Sequence, residues 1–162
     1  MSQLGRSVLE DWVRACEEVE SRPLARSLGQ FLDEAAAREP EKVFLHFFQQ
    51  GEEYTYRDIS EQSDRLASSL CGLGVRKGGH VALMIPNGPA FIVSWFALAK
   101  IGAVMVPVNF NFTSSELAYV LSDSDSEFLV VEESLIAVFD GISRETCPVS
   151  NGNVVVVGSA VS

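Results

Sequence analysis

The sequence is poor in cysteine, in proline and in positive charge. Its three cysteines, Cys16, Cys71 and Cys147, are an odd number with no CxxC spacing, which excludes a disulfide-stapled scaffold. With two histidines, His46 and His80, they make no metal-ligand set, and they read as isolated thiols of a reducing compartment. Six prolines and 47% hydrophobic residues exclude disordered and collagen-like chains. Twelve Lys and Arg face twenty-two Asp and Glu, a formal charge of −10. The basic patches that nucleic acids and anionic membranes demand are missing, so neither is an expected partner. No apolar stretch follows Met1-Ser-Gln-Leu-Gly-Arg6, so no secretory signal is read, and the expected location is cytoplasmic.

What is present is enough apolar sequence for one domain of 162 residues. The longest apolar run, Pro89 to Val108, has Lys100 as its only charge. At about 20 residues it approaches the length of a membrane span. Lys100 inside it, Gly102 and Pro107 instead divide it into a helix, a turn and a buried strand of a core.

The first forty residues read as a helical lead. Val8, Leu9, Trp12, Val13, Cys16 and Val19 form one apolar stripe. Leu24, Leu28, Phe31, Leu32 and Ala35 form another, with Ser21 and Pro23 as start signals and Pro40 beyond its end. Residues 41–162 form the second unit. Val43–Phe48, a turn at Gln50-Gly51-Glu52 and Tyr54–Tyr56 predict a hairpin. Thr55 then caps a helix, with Asp58 in the third position of a capping box, Ile59, Leu66, Leu70 and Leu73 as its buried face, and Gly72 and Gly74 at its end. Strands over Val81–Ile85, Ala103–Val108, Phe128–Val131 and Val154–Val157 alternate with helices over Pro89–Ile101, Thr113–Leu121 and Leu135–Ile142. That alternation predicts an α/β fold with a mainly parallel sheet covered by helices on both faces.

Few residues carry legible chemistry. Cys71-Gly-Leu-Gly74-Val-Arg-Lys77-Gly78-Gly79 follows a helix and precedes a strand, the reverse of a dinucleotide fingerprint, and it lacks the Gly-Lys-Ser/Thr of a Walker loop. A helix stop and a tight turn explain its glycines. Pro86-Asn87-Gly88-Pro89 joins the end of a strand to the start of a helix, where backbone N–H groups favour an anion. Every βα junction has this property, and Pro89 is also an ordinary first-turn residue. Asn109-Phe110-Asn111 holds the equivalent place after the next strand. His46 is expected within an apolar strand and His80 solvated at a strand start. Asp123, Asp125 and Glu127 read as a solvated turn, since they lack the glycine and terminal Glu of a calcium loop. Glu132-Glu133 is expected near a helix start. No Gly-x-Ser-x-Gly elbow occurs, and no self-contained catalytic constellation is legible.

The order of motifs says more than any one of them. Tyr54-Thr-Tyr-Arg-Asp-Ile59, Asp64-Arg-Leu-Ala-Ser-Ser-Leu70, Gly74-Val-Arg-Lys-Gly78 and Val81-Ala-Leu-Met-Ile-Pro-Asn87 follow one another. Trp95-Phe-Ala-Leu-Ala-Lys-Ile-Gly-Ala-Val-Met-Val-Pro-Val-Asn109 and Glu116-Leu-Ala-Tyr-Val-Leu-Ser-Asp-Ser124 come next. This series resembles the N-terminal part of the adenylate-forming (AMP-binding) acid–CoA ligase family, closest in wording to its carnitine/crotonobetaine–CoA ligases. The likeness runs over residues 41–133 and more loosely beyond. Gly79 departs from it, standing where the family commonly has Asp. The resemblance implies ATP, Mg2+ and CoA as cofactors of the full-length family. It also implies a carboxylic acid substrate, activated to an acyl-adenylate and passed to a thiol. The family's phosphate loop, adenine- and ribose-binding segments, hinge and small C-terminal domain with its catalytic Lys are not in this sequence. No catalytic, cofactor-binding or metal residue is therefore assigned, Lys100 included, and the 162-residue chain alone is expected to be inactive. Two alternatives stand beside this: a non-catalytic module that pairs with itself or a full-length relative through an incomplete sheet, and a small nucleotide-binding domain using Asn87-Gly88.

Overall fold

A computed structural model describes residues 11–17, 21, 25–145 and 147–158. Residues 11–17 are helical. Helix α1 (Leu28–Arg38) leads into a hairpin of β1 (Val43–Phe47) and β2 (Glu52–Thr55), and α2 (Tyr56–Leu73) follows directly. Then come β3 (His80–Met84), α3 (Pro89–Ile101), β4 (Val104–Pro107), α4 (Ser114–Asp123), β5 (Phe128–Glu132), the short α5 (Ile136–Asp140) and β6 (Val154–Val157). The hairpin is a separate antiparallel pair, while the other four strands form one parallel sheet in the order β4-β3-β5-β6.

Strand alternation divides the core in two. Val81, Leu83, Phe128 and Val130 face Leu70 of α2 and Ala97 and Leu98 of α3. Ala82, Met84, Leu129 and Val131 face Leu117 and Leu121 of α4 and Phe139 of α5. Near-continuous apolar strands are what a sheet covered on both faces requires. A third cluster joins Leu32 of α1, Ile59 of α2 and Val93 and Phe96 of α3, with Phe44 and Tyr56 stacked beside it at 4.6 Å.

Local signals set the element ends. The Thr55 hydroxyl accepts from the Asp58 N–H at 3.2 Å, and the Asp58 carboxylate accepts from the Thr55 N–H at 2.8 Å. Thr113 and Glu116 repeat this reciprocal box at α4. These hydrogen bonds hold both carboxyls below their usual values, the Thr55 hydroxyl acting first on Asp58 and the Thr113 backbone first on Glu116. Gly74 ends α2 with φ 111°, a conformation that a side chain would strain.

The apolar run forms a 13-residue helix and a strand, as its interruptions predict. At 1.5 Å per residue that helix is about 20 Å long, short of the ~30 Å of a bilayer core. Among the described residues no helix is long and apolar enough to cross a membrane. Its single charge has a structural use. Lys100 Nζ lies 2.6 Å from Asp33 Oδ1 and 2.6 Å from Asp64 Oδ1, and donates to Ser60 Oγ at 3.0 Å. One ammonium thus ties α3 to α1 and α2. A Cβ on Gly29 would stand 2.9 Å from the Lys100 Cα and Cγ, so the glycine is what lets α1 come this close.

Some expectations are corrected. The cap of α1 is Ser27, which accepts from the Gln30 N–H, so the helix starts after the expected Ser21 and Pro23; Pro23 lies outside the described residues. Its buried face is Gly29, Leu32 and Ala35, while Leu28 and Phe31 are exposed, because α1 turns its closest-packing face to Lys100. Trp12 and Val13 are exposed; Val8, Leu9, Val19 and Leu24 lie outside the described residues. Leu73 is exposed at the last turn of α2, and Gly72 lies inside that helix.

Candidate functional site

The strand order fixes where a site can form. From β3 the chain moves outward to β4, then crosses back to place β5 and β6 on the other side of β3. The connections therefore diverge between β3 and β5, and ligands of open parallel sheets bind outside the carboxyl ends of the strands at such a point. A cleft of about 890 Å3 lies there. Ile85 to Ala90 form one wall, Glu132 and Ser134 after β5 and Val157 and Gly158 after β6 another, and the hairpin overhangs it with Phe47, Gln50, Glu52 and Tyr54.

The sequence pattern placed Pro86-Asn87-Gly88-Pro89 correctly at a strand end and helix start, and these residues line the cleft. The hairpin residues and Ser94, deep in α3, are members that sequence reading missed. Ser94 is 1% exposed, and its hydroxyl has no hydrogen-bond partner. Tyr54 donates to Glu52 Oε2 at 3.0 Å, and burial first, then the Glu52 carboxylate, raises its phenol pKa. Glu132 accepts from the Ser134 N–H at 3.0 Å, opening the 3-10 turn after β5 as the pair with Glu133 predicts.

Glu52 and Glu132 are both in the lining, and no Lys, Arg or His is among the described lining residues. The remaining candidates lie elsewhere. Asn109 is exposed and accepts from the Asn111 N–H at 2.9 Å, which closes a local turn. His46 is exposed and 3.9 Å from Glu53. His80 is half-buried rather than solvated, because its Nδ1 meets the Ser124 carbonyl; a carbonyl only accepts, so Nδ1 carries the proton. Asp123, Asp125 and Glu127 are exposed, Asp125 in a left-handed turn at φ 50°. Among the described residues no group of three or more His, Cys, Asp or Glu is placed to hold a metal ion. A smaller depression of about 620 Å3 borders the start of α4. There the Thr113 hydroxyl and N–H are already engaged by the capping box.

The family pattern described as AMP-binding enzyme matches residues 32–159, a stretch that includes both βα units bordering the cleft. The chain belongs to this family. The AMP-binding match begins inside α1 and ends just past β6. The crotonobetaine/carnitine–CoA ligase of Proteus mirabilis is 36% identical over 115 residues, which is 69% of this chain and 22% of that protein. Its counterpart in Escherichia coli is 39% identical over 92 residues, 57% of this chain and 18% of that protein. Among solved structures, the anthranilate CoA ligase AuaEII in complex with anthranoyl-AMP superposes with a TM-score of 0.74 at 26% identity, over 85% of this chain and 26% of that one. The chain thus spans about a fifth of the length of the curated relatives it matches. Within the AMP-binding fold, the resembling motifs carry structure. Tyr54–Ile59 supplies the α2 cap, and Trp95–Asn109 supplies α3, the lysine tie and β4. The polyphosphate and CoA that the family implies find no cation in the described cleft lining, and among the described residues the metal ion finds no group of three or more His, Cys, Asp or Glu.

Proposed function

We propose that this chain is the N-terminal portion of an acid–CoA ligase, whose complete form activates a carboxylic acid with ATP and Mg2+ and passes it to CoA. The observation that carries this is the family match from α1 through β6, laid on a parallel sheet with a switch point and a cleft whose described lining holds no Lys, Arg or His. In such a reaction AMP replaces a poor leaving oxygen, and the protein's work is to orient the carboxylate and neutralise phosphate charge. This portion contributes scaffold: β3, β5 and β6 bring three loops to one edge. The expected location remains the cytoplasm.

The test is ATP–pyrophosphate exchange. The 162-residue chain alone is expected to show none with any carboxylic acid, whereas substituting it for the matching segment of the Proteus mirabilis relative should leave exchange measurable. Exchange by the isolated chain would overturn the division of labour proposed here. An immunoblot of the source cells should find a species several-fold larger than 17.7 kDa.

A second reading, a non-catalytic module that pairs with itself or a full-length relative, is favoured by β6. This edge strand is four consecutive valines, with no charge or proline to discourage another strand. If it pairs, Val156→Lys, at a half-exposed position, converts a concentration-dependent dimer to monomer in sedimentation. A wild-type chain that stays monomeric across the concentration range sinks this reading.

A further inference from the structure

We propose that Asn87, in the turn between β3 and α3, is a modification site that deamidates spontaneously to isoaspartate and aspartate. The Gly88 backbone nitrogen is the nucleophile. It attacks Cγ of the Asn87 side chain, a C–N bond forms and the Cγ–Nδ2 bond breaks. The amide nitrogen leaves as ammonia, taking up through solvent the proton that Gly88 gives up. Water then opens the cyclic imide at either carbonyl, so the net change is a water consumed and an ammonia released. The only co-reactant is solvent water. This goes beyond the ligase reading and rests on the turn alone.

The turn leaves this route open. Asn87 is exposed, and among the described residues neither its side-chain amide nor the Gly88 N–H has a hydrogen-bond partner. Gly88 has no side chain to shield its nitrogen, and a Cβ built there would meet nothing nearer than the Pro86 carbonyl at 3.9 Å. Both residues lie in a bend outside helix and strand, so no ladder opposes the rotation that brings Cγ onto the nitrogen. The chain's comparable sites are guarded. Asn151-Gly152 sits in a 3-10 turn, where the Asn153 N–H donates to the Ser150 carbonyl at 2.9 Å and the Val154 N–H to the Asn151 carbonyl. Asp140-Gly141 offers the same nucleophile, but the Gly141 N–H donates to the Ala137 carbonyl at 3.1 Å. Asn109, Asn111 and Asn153 precede Phe110, Phe112 and Val154, whose side chains crowd the attacking nitrogen. The product alters the cleft wall. Isoaspartate adds a methylene to the main chain between β3 and α3, and either product sets a carboxylate beside the amino end of α3, where negative charge is stabilised.

The experiment incubates the purified 162-residue chain at physiological temperature and neutral pH and follows each asparagine by peptide mass spectrometry. Electron-transfer fragmentation separates isoaspartate from aspartate. Asn87 should convert several-fold faster than Asn151, with isoaspartate as the major product. The rate should rise in mild alkali, where the Gly88 nitrogen gives up its proton more readily. In the urea-unfolded chain the gap between the two Asn-Gly pairs should close, because the fold is what distinguishes them. Gly88→Ala, whose methyl has room in the turn, should slow Asn87 many-fold with an unchanged circular dichroism spectrum. The comparison of Asn87 with Asn151 needs no variant, so the test stands even if Gly88→Ala misfolds. An Asn87 that stays intact, or that converts more slowly than Asn151 in the folded chain, overturns the proposal. So does a product that is aspartate alone, or a folded Gly88→Ala chain that converts as fast as wild type. None of these outcomes bears on pyrophosphate exchange, so the two readings fail separately.

Discussion

Lys100 makes a sharp test because its partners are unequally buried. The lysine side chain is 9% exposed, whereas Asp33 and Asp64 are 53% and 63% exposed. Removing the lysine, as Lys100→Met, returns two carboxylates to water. What is lost is the modest worth of solvent-screened ion pairs, and a side chain of similar volume keeps the packing. The expected cost is about 1 kcal/mol. Removing the acids, as D33A/D64A, leaves an ammonium in a buried slot with only the Ser60 hydroxyl and carbonyl for company. An unpaired buried charge costs about 3 kcal/mol. Urea unfolding followed by circular dichroism separates the two. With a slope of about 2 kcal/mol/M, the midpoint should fall by about 0.5 M for the lysine variant and about 1.5 M for the double variant. A lysine variant as damaged as the double variant would refute the reasoning, since the tie would then be worth more than its burial imbalance allows.

Gly29→Ala should destabilise by about 1–3 kcal/mol by pushing α1 off Lys100, and K100A/G29A should recover part of that loss in the same unfolding assay. Leu129→Ala, at a fully buried position on an inner strand, should cost about 2–5 kcal/mol with an unchanged urea slope. Thr55→Ala should lower stability by about 1 kcal/mol through loss of the α2 cap. The Asp58 carboxyl is held below its ordinary 3.8, so its contribution is complete above that pH and is lost as pH falls through the lower folded value. The stability gap between wild type and Asp58→Asn should accordingly be widest near neutrality and close in acid. A gap that widens in acid would contradict that linkage.

Element type was legible wherever a local device carried it. The Thr55–Asp58 and Thr113–Glu116 boxes named two helix starts, Pro89 a third, and Gly74 a stop, each a matter of a few adjacent residues. The α/β class followed from alternation alone. Leu28, Phe31 and Leu73 show the limit. Their spacing put them on apolar faces, but which side of a stripe is covered depends on the neighbour, and Gly29 against Lys100 turned α1 to another side. Site residues suffered more. Asn87 and Gly88 could be placed at a strand end from sequence, but Phe47, Glu52, Tyr54 and Ser94 reach the cleft only through the swing of the hairpin and the packing of α3. No periodicity encodes that.

The position of β3 between β4 and β5 has a consequence for how the chain is made. The β3–β4 register joins His80 to Val104, but the β3–β5 register joins Val81 to Phe128. A chain emerging from the ribosome can therefore complete the hairpin, α2 and the β3–α3–β4 unit while one edge of β3 is still bare. That edge, Val81-Ala-Leu-Met84, is fully apolar and stays unpaired until residues 128–132 have also emerged. Synthesis at about 5–20 residues per second makes that interval seconds long. In this interval the nascent chain exposes an apolar strand edge, and pausing between codons 108 and 128 should raise the aggregated fraction more than pausing before codon 80.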